Sequence, residues 1–280
     1  MDEDVARVRE AYDRDPQREW QRLEGGAQSR LEYLTTTHAL RRHLPPPAEA
    51  GHVLDAGGGP GRYTLDLARW GYTVTLLDLS PALLDLARRQ LDAVEPAVRA
   101  RVVAVVEGTI PDLSSFPDAH FGAVLCLGGP LSHLTDPELR RRAVAELRRV
   151  LAPRGLLFIS VINRLGGYRS AVQWPGAWSL IFPHLPRTGL TTMGPGAAPT
   201  YTFLPEELVD LLSQGGFEVL DLYGCQGIGA HLQEDHLLAL MDDPARWPLW
   251  RELFLATCDH PNVVGVSNHL LAVAYPQRRP

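Results

Sequence analysis

Hydrophobic positions change their spacing along this chain, and the changes divide it into segments. In VARVREAYDRDPQREWQRL and RLEYLTTTHALRRHL, between residues 5 and 44, apolar residues recur every three or four positions. That is the period of a helix with one buried face. The PPP at 45–47 closes the second stretch, because proline lacks the N–H that a helix interior needs. Beyond it, short apolar runs alternate with helical ones. HVLDAG, TVTLLD, ARVVAVVEG, FGAVLCLGG and GLLFISVIN read as strands, and GRYTLDLARWG, SPALLDLARRQL and DPELRRRAVAELRRVL read as helices. Gly71 closes the first of these helices, and the second opens with Ser80 as N-cap and Pro81 at its first position. LPEELVDLLSQGGF restores a helix, and EVLDLYG and HLLAVAY supply two last strands. The spacing predicts an α/β fold: a doubly wound, mostly parallel, seven-stranded sheet with helices on both faces.

The regularity lapses twice. Residues 164–204 are rich in Gly and Pro and carry Trp174, Trp178, Phe182, His184 and Tyr201, which is too much for a simple connection. A second insertion, about 225–266, holds the helical-looking EDHLLALMDDPARWPLWRELFLATC. We therefore divide the chain into an N-terminal helical lid (1–46), an α/β core (47–163), a cap (164–204) and the C-terminal part of the core (205–280).

Composition then narrows the function. Of 280 residues 45% are hydrophobic and 21% charged, as in an ordinary folded domain. A formal net charge of −6 offers nucleic acid or an anionic membrane no overall attraction. The start has no basic-then-apolar leader, no run approaches a membrane span, and Cys126, Cys225 and Cys258 are few and widely spaced. The expectation is a reducing, cytoplasmic setting, with no membrane or nucleic-acid partner and no metal. His231 and His236 are five apart rather than four, and no Cys pair stands at zinc spacing.

The stretch LDAGGGPGRYT, residues 54–64, is where chemistry concentrates. Glycine at a strand-to-helix turn lets the backbone approach a ligand without a Cβ between them. A dinucleotide fingerprint beginning at Gly57 and Gly59 would need its third Gly at 62, where Arg62 stands. A phosphate-cradling loop needs Lys, and the chain has no Lys at all. The loop is better suited to an adenosyl ligand without a pyrophosphate.

Four segments in order, VLDAGGGPGRYTLDLARWGYTVTLLDLSPALLDLAR, VVEGTIPDL, FGAVLCLGGPLSHLTD and LRRVLAPRGLLFIS, resemble the successive motifs of class I S-adenosylmethionine-dependent methyltransferases of small-molecule type. The resemblance spans about residues 50–163 and implies the methyltransferase fold, S-adenosylmethionine as methyl donor and S-adenosylhomocysteine as product. It implies further that Asp55 and the backbone at Gly57, Gly58, Gly59 and Gly61 surround the methionine portion, that Asp78 grips both ribose hydroxyls, and that Leu79 lies on the adenine. Gly108, Thr109 and Ile110 take the place beside the adenine amine, with Thr109 where the family usually has Asp. Phe121-Gly122 likewise stands where Phe-Asp is common. Leu127 and Gly128 fall beside the reacting methyl, and Tyr12 and Trp20 lie on the segment that in similar enzymes covers the cofactor.

On the acceptor side, LGGPLSH replaces the Asn/Asp-Pro-Pro-Tyr type motif of amino-group DNA methyltransferases, which points to a small molecule. His133 follows the fourth strand and is the candidate catalytic base, a residue that titrates near neutrality. Trp174, Trp178 and Tyr201 are the candidate substrate walls. Arg30 is a weaker candidate for the cofactor carboxylate. The function expected is methyl transfer to O, N or C of a small acceptor by direct displacement. Its alternative is a non-catalytic S-adenosylmethionine-binding sensor or partner subunit.

Overall fold

Seven strands join into one sheet in the computed structural model, which describes residues 3–173, 185–192 and 197–277. They are β1 His52–Ala56, β2 Thr73–Asp78, β3 Val102–Glu107, β4 Phe121–Cys126, β5 Leu151–Ile162, β8 Phe217–Gly224 and β9 His269–Pro276, and their order is β3-β2-β1-β4-β5-β9-β8. The first five are parallel, and β9 runs antiparallel between β5 and β8. The remaining two, β6 Leu190–Thr192 and β7 Pro199–Tyr201, form a separate antiparallel pair within the cap.

Successive strand residues point to opposite faces, which gives the sheet two cores. Leu54, Val124, Leu157 and Ile159 pack on one face under α8 (Pro137–Val150) and α11 (Pro205–Gln214), where Val144, Leu147, Leu208 and Leu212 are fully buried. Their neighbours Val53, Ala123, Leu125 and Phe158 pack on the other face. That face is covered by α3 (Ala27–His43) and α5 (Arg62–Arg69) through Ala39, Leu40, Tyr63 and Leu67. Helix α3 therefore belongs to the core, and only α1 (Glu3–Asp13) and α2 (Pro16–Gln21) extend over the carboxyl ends of the strands.

The periodic stretch 5–23 is broken where Pro16 opens a new helix and the Asp15 carboxylate accepts from the Arg18 N–H at 3.1 Å. The Ser80 cap forms as expected: its Oγ accepts from the Leu83 N–H at 3.1 Å, opening α6 (Pro81–Asp92). Two four-residue helices, α4 (Pro47–Ala50) and α7 (Pro96–Arg99), lead into β1 and β3. Gly122 has a local reason: a methyl group there would overlap the Ala50 carbonyl oxygen at the end of α4, so no side chain is tolerated. The cap adds α9 (Arg164–Gln173) and α10 (Leu185–Thr188) to its strand pair, and the second insertion holds α12 (Glu234–Met241), α13 (Trp247–Thr257) and α14 (Pro261–Val264). Among the described residues no helix is long and apolar enough to cross a membrane.

Candidate functional site

Strand β1 ends in the glycine loop, and the loop is stitched to the end of β2. The N–H groups of Gly57 and Gly58 donate to the Leu77 carbonyl at 2.7 and 3.2 Å, and that of Gly59 donates to Asp78 Oδ2 at 2.8 Å. Gly57 takes a φ of +77°, which L side chains rarely adopt, and a methyl there would press on Pro130. At Gly58 a methyl would come within 2.5 Å of both the Asp55 carboxyl and Leu76. The loop is therefore bare backbone by necessity, and it forms one wall of a cavity.

Asp78 forms the adjoining wall. Its Oδ1 accepts from the Ser80 N–H at 2.9 Å, and with Oδ2 on Gly59 each oxygen keeps a further lone pair. Burial pushes this carboxyl up to about 6, against the pull of those backbone N–H groups. Leu79, Gly108, Thr109, Ile110 and Leu83 continue the wall. Leu127 and Gly128 follow from β4, with the Gly128 N–H donating to Ser160 Oγ at 2.8 Å. A tight turn at Pro130–His133 then brings His133 to the far end.

The N-terminal segment closes the space from above through Val5, Val8, Tyr12, Glu19, Arg22 and Leu23. Polar contacts fasten it: Arg9 pairs with Glu107 at 3.1 Å, Ser80 Oγ donates to Asp13 at 2.5 Å, and Thr135 Oγ1 donates to Asp4. Tyr12 Oη lies 2.8 Å from His133 Nε2. Burial pushes the His133 imidazole below its usual range, against the hydrogen bond to the Pro199 carbonyl, so the neutral ring is favoured.

Arg22 is the main residue that the sequence pattern did not single out. Its Nε donates to Glu19 at 2.7 Å and its Nη1 to Glu32 at 3.0 Å, while Glu32 Oε2 meets His269 Nδ1 at 2.7 Å. Burial would raise the Glu32 carboxyl, but His269 and Arg22 more than offset that and hold it well below the usual carboxylate range. Arg22 reaches so near the methyl-side wall that a Cβ on Gly128 would sit 3.0 Å from its Nη2. In a helical stretch with seven other arginines before residue 43, nothing in spacing alone marks this one.

Several expectations are corrected. Asp55 lies beneath the loop rather than on the wall: its side chain is fully buried, Oδ2 accepts from the Thr64 hydroxyl at 2.6 Å, and Gly58 separates it from the cavity. Burial pushes it, too, up to about 6. Gly61 is outside the wall as well; its φ of +84° starts α5. Tyr201 does not line the cavity, because its hydroxyl donates to Glu207 at 3.1 Å and its ring is covered by the Arg140 guanidinium, 3.7 Å from the centroid. Trp20 packs outside the cavity near Leu65 and Leu91, beneath Arg62. Arg30 is exposed and donates to the Glu24 carbonyl, so it does not face the space. Trp174, Trp178, Phe182 and His184 lie outside the described residues.

With this geometry in place, comparison with known proteins is informative. Residues 53–155 match the model of the methyltransferase domain family. The match takes in the glycine loop, Asp78 and strands β2 to β4. Among curated proteins, the ubiquinone biosynthesis O-methyltransferase of Xanthomonas euvesicatoria pv. vesicatoria (strain 85-10) is 36% identical over 135 residues, covering 48% of this chain and 49% of that protein. The chain thus spans about half the length of the curated relatives it matches. Among solved structures, an S-adenosylmethionine-dependent methyltransferase from Methanosarcina mazei superposes with a TM-score of 0.58 at 19% identity, covering 86% of this chain and 98% of that one. A possible histamine N-methyltransferase from Thermotoga maritima gives 0.57 at 20% identity, covering 95% and 99%. At those identities the structural likenesses establish the methyltransferase fold.

Proposed function

We propose that this methyltransferase-domain protein is an S-adenosylmethionine-dependent enzyme that transfers a methyl group to a small-molecule acceptor by direct displacement. The observation that carries the proposal is the cavity itself. Bare glycine backbone, the Glu19–Arg22 ion pair, the Asp78 carboxylate and the neutral Tyr12–His133 pair line one space.

Each part suits a portion of the ligand. Asp78 has lone pairs left for two ribose hydroxyls, and charge-assisted bonds of that kind are the strong ones. Leu79, Ile110 and Leu83 give the adenine apolar walls, with Thr109 beside its amine. Glu19 and Arg22 match the ammonium and carboxylate of the methionine portion, the work the sequence reading gave to Asp55 and Arg30. When bound, the donor supplies an electrophilic methyl on a sulfonium, and the chain's own contribution is alignment and exclusion of water. Residues 3–23 act as the lid, and within 164–204 the strand pair and α10 act as the cap. A non-catalytic adenosyl-binding module would use only the glycine loop, Asp78 and the lid, and the His133–Tyr12 pair would have no part in it.

Calorimetric titration tests the reading. S-adenosylmethionine and S-adenosylhomocysteine are expected to bind in the micromolar range and NAD not at all; NAD binding alone would overturn the assignment.

The affinity is also expected to depend on pH through Asp78. Its carboxyl ionises only near pH 6, and the ionised form is the one that accepts two hydroxyl hydrogen bonds. Affinity for S-adenosylhomocysteine should therefore be constant above about pH 7 and fall by up to roughly tenfold per pH unit below 6. Asp78→Asn should flatten that profile, and a profile identical in the two proteins would remove Asp78 from the site.

A further inference from the structure

The His133 ring has a close partner on each nitrogen, and together they set the direction of a proton; Thr200 Oγ1, 3.5 Å from Nδ1, donates its own hydrogen to the Ala198 carbonyl. Its Nδ1 is 3.1 Å from the carbonyl oxygen of Pro199, an atom that can only accept, so Nδ1 carries the hydrogen. Nε2 is then the lone pair, and the Tyr12 hydroxyl 2.8 Å away donates to it. Tyr12 keeps its proton, since burial raises its pKa above the usual phenol range and the nearby charge of Glu19 raises it further. Both side chains line the cavity.

The Pro199 carbonyl is held in place by a strut between cap and core. Pro199 opens β7, and two residues on, Tyr201 is pinned by Glu207 and by Arg164 Nη2 at 3.3 Å. The Arg140 guanidinium covers the Tyr201 ring, and its Nη1 donates to the carbonyls of Leu134 and Thr135 at 2.6 and 2.8 Å. Those two residues directly follow His133. One guanidinium therefore ties the strand that bears the Pro199 carbonyl to the turn that bears the imidazole.

We propose that Tyr12 and His133 form a one-way proton relay whose outer end, the Tyr12 hydroxyl, meets an acceptor carrying a proton on oxygen or nitrogen, and that Arg140 and Tyr201 are positioning residues that hold its tautomer. This rests on the methyl-transfer reading and narrows its acceptor to a hydroxyl or N–H compound. The acceptor heteroatom forms its bond to the methyl carbon while the sulfur–methyl bond breaks, its electron pair staying on sulfur. The heteroatom's proton passes to Tyr12 Oη as the proton of Tyr12 passes to His133 Nε2. Positive charge moves from the sulfonium to the imidazolium, and solvent takes the proton once product leaves. Tyr12 thereby becomes a catalytic residue as well as part of the lid.

Nitrogen NMR of the full chain labelled with ¹⁵N in its histidine rings, bound to S-adenosylhomocysteine, tests the relay without turnover. The His133 resonances are those lost in His133→Gln. They should show a protonated Nδ1 and an unprotonated, hydrogen-bonded Nε2. Tyr12→Phe should leave Nδ1 protonated and move Nε2 to the value of a free imine nitrogen, and Arg140→Met should mix the two tautomers. A protonated Nε2, or an Nε2 shift unmoved by Tyr12→Phe, overturns the relay.

In a second arm, methyl-labelled S-adenosylmethionine is offered with a panel of phenols, alcohols and amines. Tyr12→Phe and His133→Gln should each lower kcat by about 100-fold, the range of general-base effects, with the double variant no slower than the slower single one. Additive losses overturn the relay. A wild-type protein that neither binds S-adenosylhomocysteine nor methylates any acceptor fails the methyl-transfer reading instead, and the nitrogen spectra keep the two failures apart.

Discussion

Replacing Asp78 with alanine is expected to weaken S-adenosylhomocysteine binding by about 1.5–3 kcal/mol, roughly 10- to 150-fold, the scale of a lost hydrogen-bonding charge. The substitution also strips acceptors from the N–H groups of Gly59 and Ser80, so a change of loop shape has to be separated from the loss of ligand contact. Asp78→Asn separates them, because it keeps the side chain's size and one acceptor oxygen. Its effect on stability carries a definite sign. The folded-state pKa of Asp78, about 6, lies above its ordinary 3.8, so the folded protein favours the neutral acid. That contribution is fully present below about pH 4 and is lost as pH rises through 6. At pH 7 the folded state carries a buried charge that asparagine does not, so Asp78→Asn should resist denaturant better than wild type by about 1–3 kcal/mol while binding ligand more weakly. Parallel unfolding and calorimetry check the pair. A variant that loses both stability and affinity would make Asp78 a structural cap, and one that loses neither would place the ribose elsewhere.

What the sequence made legible follows from how local each signal is. The seven strands, the Ser80 cap and the glycine loop are written in short windows: alternating burial, a capping hydroxyl, and glycines where a Cβ would strike Pro130 or Asp55. The motif resemblance implied a mostly parallel seven-stranded sheet, and the structure has five parallel strands with the last strand inserted antiparallel between β5 and β8. Side-chain direction was not legible. Asp55 and Asp78 both lie near the carboxyl ends of their strands, yet Gly58 shields the first from the cavity while the second faces it. Tyr201 looked like an aromatic wall because composition cannot show that Arg140, 61 residues earlier, covers its ring. Arg22 escaped notice for the same reason: the glutamate that holds it is ten residues away and the histidine behind that glutamate is 237 residues further on. Long-range polar pairing sets where charge points, and one-dimensional periodicity carries no record of it.

That chain of charges leads to the second large effect, in Glu32→Gln. Glu32 is buried between the Arg22 guanidinium and the His269 ring, and removing one member of a buried ionic set leaves its partners uncompensated. The expected loss is about 3 kcal/mol, read as a lower denaturant midpoint at pH 7. Because the Glu32 carboxyl is held below its ordinary 4.5, its share of stability is complete above that value and fades as pH falls through and below it. The gap between wild type and Glu32→Gln should accordingly be widest near neutrality and narrow below pH 4.5; a gap that grows in acid would reverse the sign of the pairing. The same substitution should reach the ligand selectively. With Glu32 neutralised, Arg22 is aimed by Glu19 alone, so affinity should fall for S-adenosylhomocysteine, which carries the amino-acid tail, and hold for 5′-methylthioadenosine, which lacks it. Equal losses for both ligands would mean that Arg22 shapes the cavity as a whole, and the amino-acid end would then have to be sought at another cation along its wall.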